Sequence, residues 1–293
     1  MAVAAVGAVT LDYAESGVRG GPTVLLIMGL GGQRIMWSQA LLDALAGAGC
    51  HVVTFDNRDV GRSTILDAAP GEPRLIEEAF AGKPVAAPYL LSDMADDAVG
   101  LLDHLGVARA HVVGASMGGM IAQHLAFEHP ARVASLTAIS SAAGEWAPGR
   151  PVPDELTVSG VAPPTDREAF VDWFVEGTRM LSAPHSFDVA AVRHLAHLAH
   201  ARGVHPGGVV RQLLALLADG DRTERLRRVD VPTLVIHGTD DPLIDVRAGR
   251  ALAAAITGAE LLVIDGMAHD MPPHAVRRSA RAVVSHISAA ERR

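Results

Sequence analysis

The chain has 293 residues, 49% of them hydrophobic, and it carries a formal net charge of −8 at pH 7. The acidic balance and the scattered arginines argue against a nucleic-acid partner, and the single cysteine, Cys50, excludes an internal disulfide. Because no apolar run reaches membrane-spanning length and residues 1–9 lack a basic start, we expect a cytoplasmic protein without a membrane partner.

Short apolar runs alternate with amphipathic segments along most of the chain. The predicted strands occupy residues 9–15, 22–28, 52–56, 111–113, 133–139, 231–237 and 260–265. The helices predicted between or after them occupy residues 38–46, 91–105, 117–128, 245–256 and 276–290. This order predicts an α/β fold with a mostly parallel central sheet and helices on both faces, in which ligands bind beyond the carboxyl ends of the strands.

Residues 145–228 interrupt this alternation. The segment starts with a proline-rich stretch and continues with helical patterns near residues 167–181, 186–201 and 207–219. We therefore predict that residues 1–144 and 229–293 form the core, and that residues 145–228 form a helical cap inserted into it.

A cap of this kind restricts substrate access and excludes water, so its apolar side chains should shape specificity. Packing between the cap helices is the alternative role for each of these side chains. The candidates to face a ligand are Trp146, Phe170, Trp173, Phe174, Met180, Leu181 and Phe187.

The sequence from Gly114 to Gly118 has the pattern G-x-S-x-G between a predicted strand and a predicted helix. A turn this tight exposes the Ser116 hydroxyl, strains its backbone and leaves no room for a Cβ on the flanking glycines. The N-terminus of the following helix would point the Met117 N–H at an oxyanion formed beside the serine. An ordinary glycine-rich turn is the alternative for this pattern taken alone.

A serine nucleophile needs a base and a third group that orients the base, in the chain order Ser, Asp or Glu, His. The strand at 231–237 is followed by Asp240 and Asp241, and the strand at 260–265 is followed by a loop that contains His269. This order predicts a triad of Ser116, an aspartate and a histidine at one edge of the sheet.

Both the acid and the base have rivals nearby in the sequence. Asp241 is favoured over Asp240 by its spacing from the preceding glycine and by the proline after it, which restricts its backbone to extended conformations. His237 ends the strand that already carries the acid, and His274 enters the last helix. His269 is therefore the predicted base.

These motifs resemble the α/β-hydrolase superfamily and, more narrowly, the esterases similar to aclacinomycin methylesterase. The matching residues are Met28-Gly29-Leu30, the segment 55–63, the segment 113–119, the segment 237–242 and the His269 loop. The resemblance implies that the oxyanion donors are the N–H groups of Leu30 and Met117. Many relatives have His-Gly where this chain has Met28-Gly29.

The resemblance further implies a serine esterase that cleaves a carboxylic ester of an apolar small molecule, methyl esters and lactones included. We expect the protein to need no cofactor and to be a monomer or homodimer. A cofactor-free haloperoxidase or perhydrolase-like enzyme, and a ligand-binding receptor on the same scaffold, are the alternatives. Epoxide hydrolase and dehalogenase activities are disfavoured, because their chemistry requires an aspartate at the position that Ser116 occupies.

Two further patterns have structural interpretations. His194, His197 and His200 are spaced along one predicted helix, but no carboxylate at ligand spacing completes a metal site, so we expect none. The polar residues of segment 56–63 are expected to lock the loop after their strand through side-chain to backbone hydrogen bonds and an Asp–Arg pair.

Overall fold

One central sheet organises the chain in the computed structural model, which describes residues 2–69, 73–81, 83–144, 162–184 and 187–293. Within these residues the strands are β1 (Ala2–Val6), β2 (Val9–Gly17), β3 (Thr23–Ile27), β4 (His51–Phe55), β5 (Ala110–Ala115), β6 (Val133–Ile139), β7 (Thr233–Gly238) and β8 (Glu260–Ile264). Their order across the sheet is β1-β2-β4-β3-β5-β6-β7-β8. Strand β2 pairs antiparallel with β1 and β4, and the remaining pairs are parallel.

Helices connect the strands and cover the sheet. Those in the described ranges are α1 (Gln39–Gly47), α2 (Pro73–Phe80), α3 (Leu91–His104), α4 (Met117–Glu128), α5 (Arg167–Leu181), α6 (Val189–Arg202), α7 (Pro206–Asp219), α8 (Thr223–Leu226), α9 (Val246–Ala255) and α10 (Pro273–Ala290). Each helix in these ranges is too short or too polar to cross a lipid bilayer.

The core lies on both faces of the sheet. Alternate residues of β3 point to opposite faces, so that Val24 and Leu26 pack into one apolar cluster with α1 and α10. Leu25 and Ile27 pack into a second cluster with α3 and α4. With both faces covered, the carboxyl ends of the parallel strands remain as the edge where loops carry polar side chains.

The predicted fold class is confirmed, and the differences from it are local. Strand β1 and helix α2 were not predicted, because β1 is an alanine-rich edge strand with a weak apolar pattern and α2 is short. Helices α6 and α9 begin later than predicted, at Val189 and Val246. In each case the preceding aspartate, Asp188 or Asp245, caps the helix by accepting a backbone N–H.

Helices α5, α6 and α7, which we call the inserted helices, lie between β6 and β7 in the chain, where the cap is predicted. They are tied to the core by buried ion pairs. Arg202 at the end of α6 donates to both Asp12 and Asp56, and Arg211 of α7 forms a two-point pair with Asp59 at 2.7 and 2.9 Å. Such pairs fix orientation, since planar guanidinium groups match carboxylates at two points.

The segment 56–63 forms the interactions predicted for it. Asp56 accepts the backbone N–H groups of Arg34 and Arg62 at 2.7 and 3.1 Å, and Ser63 donates to the Asp56 carbonyl. The Asp–Arg pairing is also present, but its partners lie far away in the sequence, as in the pair of Arg58 with Asp97.

Candidate active site

Ser116 occupies a strained turn at the carboxyl end of β5. Its backbone has φ 53° and ψ −121°, a region that residues with a Cβ rarely adopt. Hydrogen bonds hold this conformation: the Ser116 N–H donates to Ile139 O at 2.9 Å, and the Ser116 carbonyl accepts from Gly119 N and from the Ser141 hydroxyl, both at 2.9 Å. The turn therefore has the strain predicted for an exposed nucleophile.

The glycines of this turn are required by close backbone contacts. A Cβ on Gly114 would lie 2.1 Å from the Gly118 carbonyl oxygen, and a Cβ on Gly118 would lie 2.0 Å from the Ile27 carbonyl oxygen. Both obstacles are backbone atoms at the centre of the fold, so no flexible side chain can move aside. The collisions predicted from the sequence are present.

Replacing Gly118 with alanine should destabilise the fold by about 3 kcal/mol, because backbone atoms of β3 must shift to admit the methyl group. Gly47 is a matched control, since its added Cβ would meet nothing within 4 Å and Gly-to-Ala changes in open helical positions stabilise by up to about 1 kcal/mol. Urea unfolding of both variants measures the difference. A G118A midpoint equal to that of the wild type would contradict this packing.

The loop after β3, which we call the oxyanion loop (Gly29–Gly32), lies against the nucleophile. A Cβ on Gly29 would lie 3.1 Å from the Ser116 Cβ and 3.7 Å from its hydroxyl oxygen. Within the described residues, neither the Leu30 N–H nor the Met117 N–H has a hydrogen-bond acceptor in the protein. Both groups are therefore available to a ligand beside Ser116.

Asp241 and His269 form a hydrogen-bonded pair at the ends of β7 and β8. The His269 Nδ1 lies 2.9 Å from one carboxylate oxygen of Asp241 and 3.1 Å from the other. The Leu243 and Ile244 N–H groups also donate to this carboxylate, at 3.0 and 2.9 Å. Asp240 instead accepts from the Thr239 hydroxyl.

The carboxyl group of Asp241 stays ionised near neutral pH. Burial by itself raises the pKa of Asp241, but the neighbouring imidazoles of His237 and His269 outweigh the cost of burial. The net result is a pKa below the ordinary value for aspartate. A fixed negative charge therefore lies against the Nδ1 of His269, where it favours the tautomer that carries a proton on that nitrogen.

Ser116, Asp241 and His269 all lie at the carboxyl edge of the sheet, because β5, β7 and β8 run parallel. The structure brings the aspartate and the histidine into contact. Among the described residues, no hydrogen bond joins the Ser116 hydroxyl to His269. Hydrogen bonds of this type are often long without a ligand and tighten when one binds.

The rival histidines have other contacts. The buried His237 donates its Nε2 proton to the Ile244 carbonyl at 2.7 Å and lies 3.5 Å from a carboxylate oxygen of Asp241. The His274 Nε2 lies 3.2 Å from the Asp265 carbonyl at the start of α10. His237 is therefore bonded to the backbone beside the acid, and the half-buried His274 is bonded to the backbone at the end of β8.

Part of the predicted ligand-facing set forms an aromatic cluster in the inserted helices. Phe170 is 5% exposed and packs between α5 and α6, with Trp173 and Phe174 at ring distances of 5.9 and 5.8 Å. Met180 is partly buried near the end of α5, and Trp146 lies outside the described residues. Phe170 packs within the inserted helices, and the ligand contacts of all these residues stay predictions.

The end of α5 also contacts the catalytic edge of the sheet. The backbone N–H groups of His269 and Asp270 both donate to the Leu181 carbonyl, at 3.1 and 3.2 Å. Burial raises the pKa of Asp270 above its ordinary value, an effect that the nearby Ser182 and Ala183 reduce without cancelling it. The inserted helices thus hold the loop that presents His269.

The histidines of α6 do not assemble into a ligand set in the described parts of the chain, where no three potential metal ligands come together. His200 bonds to the Thr165 carbonyl at 3.1 Å, and His197 lies 3.4 Å from Arg167. These contacts give both side chains a structural role.

The sequence patterns did not predict two polar residues that contact the oxyanion loop or the residue before it. The Asn57 amide donates to the Met28 carbonyl at 3.0 Å, and the Gln212 amide oxygen accepts the Gly31 N–H at 2.8 Å. Asn57 could have been found, because it lies in a segment already singled out. Gln212 lies beside Arg211 in a mainly apolar helical run and carries no local signal of a role.

The parallel sheet and the strained serine turn define an α/β-hydrolase architecture, and comparison with known proteins supplies the family. Residues 22–179 match the model of the alpha/beta hydrolase fold family. The chain is 31% identical to rhodomycin D methylesterase of Streptomyces peucetius over 290 residues, with 91% of each chain covered. It is 26% identical to 3-oxoadipate enol-lactonase 2 of Acinetobacter baylyi, with 96% of this chain and 95% of the relative covered.

The protein therefore belongs to the α/β hydrolase fold family, and the predicted family and the predicted assignment as a hydrolase are confirmed. A solved structure of the enol-lactonase from Burkholderia xenovorans LB400 has the same fold, with a TM-score of 0.76 and 24% identity. The match covers 98% of this chain and all of that one.

Proposed function

We propose that the protein is a serine esterase in which Ser116, His269 and Asp241 form the catalytic triad. The observation that carries the proposal is the 2.9 Å contact between His269 Nδ1 and the buried Asp241 carboxylate, at the sheet edge that also carries the strained Ser116. A histidine held in this way has its Nε2 free to accept a proton, which is the arrangement that makes a serine hydroxyl nucleophilic.

The reaction follows from these positions. His269 Nε2 takes the Ser116 proton as the serine oxygen attacks the ester carbonyl carbon, and the Asp241 charge stabilises the imidazolium that forms. The Leu30 and Met117 N–H groups donate to the carbonyl oxygen as it becomes an oxyanion. His269 then gives its proton to the departing alcohol, and water attacks the acyl-enzyme by the same steps in reverse.

The substrate class is a carboxylic ester of an apolar small molecule, with methyl esters and lactones included. Two relatives support this choice, since their names describe a methylesterase and an enol-lactonase. Residues 145–228 act as the cap and residues 1–144 and 229–293 as the core. The contact of Leu181 with the His269 loop supports this division, because the inserted helices reach the catalytic edge.

Covalent labelling followed by a substrate screen tests the proposal. A fluorophosphonate should react with the folded protein at one site, and peptide mapping should place the adduct on Ser116. Methyl, short-chain and aryl esters should then yield acid and alcohol or phenol in equal amounts, lactones should yield one hydroxy acid each, and prior labelling should abolish this turnover.

Other outcomes separate the alternatives. Folded protein that neither reacts with the fluorophosphonate nor turns over any ester would favour a ligand-binding receptor on this scaffold. Faster turnover with peroxide and a carboxylic acid than with any ester would favour a perhydrolase-like enzyme. An adduct mapped to a residue other than Ser116 would contradict the assignment of the nucleophile.

A further inference from the structure

Gln212 joins an inserted helix to the oxyanion loop. Its side chain is 0% exposed. Its amide oxygen accepts the Gly31 N–H at 2.8 Å, and its amide nitrogen donates to the Arg58 carbonyl at 2.7 Å. One partner is a backbone N–H, which can only donate, and the other is a backbone carbonyl, which can only accept. Together they set the orientation of the amide. A buried polar side chain with both ends satisfied is a rigid bridge.

The Gly31 bond acts on the peptide next to the proposed donor. Gly31 has φ +64°, and its N–H belongs to the peptide unit that links it to Leu30. Fixing that N–H fixes the plane of the Leu30–Gly31 peptide, which restricts the torsions of Leu30 and so the direction of the N–H in the peptide before it. The side chain of Val209 lies against the same glycine, where an added Cβ would meet it at 3.2 Å.

Val209 and Gln212 are three residues apart on α7, so they present one face of the helix to the loop. The residue after the loop is held by the neighbouring helix. The Gln33 amide donates to the Ala199 and Gly203 carbonyls at 2.9 Å, and Arg202 donates to its amide oxygen. The backbone that follows Leu30 is therefore held at two points, Gly31 and Gln33, by the inserted helices.

We propose that Gln212 is a positioning residue for the oxyanion hole: it acts through Gly31 to hold the Leu30 N–H where the oxyanion forms. This inference rests on the proposed esterase function. It assigns the inserted helices a part in transition-state stabilisation, in addition to covering the substrate. A hydrogen bond aimed at developing charge loses its value when the donor moves by a fraction of an ångström.

The variant Q212M tests this role, because methionine fills the same volume without either hydrogen bond. We expect kcat to fall about 10- to 100-fold with KM within about threefold of the wild type. The affinity for an aryl trifluoromethyl ketone, whose adduct with Ser116 carries an oxyanion, should fall by a similar factor. If Q212M does not fold, Q212A, which leaves room for water at both backbone groups, is measured with the same expectation.

The matched control is Q123M. Gln123 is equally buried and also bridges two groups, donating to the Ala142 carbonyl at 3.1 Å and accepting from Arg222 at 3.0 Å, but it does not bond to the oxyanion loop. Its loss should lower the melting temperature while leaving kcat and ketone affinity within about threefold of the wild type.

A Q212 variant that is only less stable, with kcat and ketone affinity like those of Q123M, would overturn the positioning role. Failure of the esterase proposal is a different result, since the wild-type protein itself would then fail to hydrolyse esters and to form the ketone adduct.

Discussion

Replacing Ser116 with alanine should lower kcat/KM for ester hydrolysis by a factor on the order of 10⁴ or more, while the protein folds as before. The loss is this large because the acyl-enzyme route needs the serine oxygen as nucleophile, and the contributions of triad members act as a unit. Steady-state hydrolysis of the best ester from the screen, measured beside urea unfolding, separates activity from stability.

The free energy of unfolding should be unchanged, because alanine can adopt the same backbone conformation as the serine. Ser116 already has a Cβ at φ 53°, so the strain of the turn is the same in the variant. The hydrogen bonds from Ser116 N to Ile139 O and from the Ser141 hydroxyl to Ser116 O use backbone atoms only at residue 116. Only the side-chain hydroxyl is removed.

Ser140 provides a closely matched control at the end of the neighbouring strand. It also has positive φ, at 47°, and it is buried with a hydroxyl that has no partner within the described residues. S140A should keep activity within about threefold of the wild type, since no step of the mechanism uses this hydroxyl. Retention of more than about 1% of activity by S116A would remove Ser116 from the role of nucleophile.

Much of the site's location could be predicted because it depends on short stretches of sequence. Gly114 and Gly118 mark a turn in which neither of these two positions has room for a Cβ, and the structure contains the close contacts that exclude one. The placement of Asp241 and His269 at one edge follows from the parallel direction of the strands before them. Local sequence and strand direction are enough for predictions of this kind.

The contacts between distant segments could not be predicted in the same way. Arg58 pairs with Asp97 and Asp59 pairs with Arg211, although each has an oppositely charged residue closer in the sequence. These pairings are set by how the inserted helices and α3 pack on the core, which the pattern of one segment does not encode. Gln212 belongs to the same class, since its role depends on a loop 181 residues away.

Replacing His269 with alanine should lower kcat/KM by about 10³- to 10⁵-fold, because Ser116 loses the base that takes its proton and the acid that protonates the departing alcohol. Steady-state hydrolysis by the folded variant measures this loss. Added imidazole should restore part of the activity, since the space left beside Asp241 can admit a free base of the same shape. Fluorophosphonate labelling of Ser116 should slow in parallel.

The control for this change is H274A. His274 lies five residues further on, half-buried in the first turn of α10, and its Nε2 bonds only to the Asp265 carbonyl among the described residues. Its removal should therefore leave kcat/KM within about threefold of the wild type. The opposite pattern, in which H269A is active and H274A is inactive, would mean that the imidazole paired with Asp241 is not the base that takes the Ser116 proton. The buried carboxylate would then have a structural role, since a charge hydrogen-bonded by His269 and two backbone N–H groups also stabilises the junction of the β7 and β8 loops.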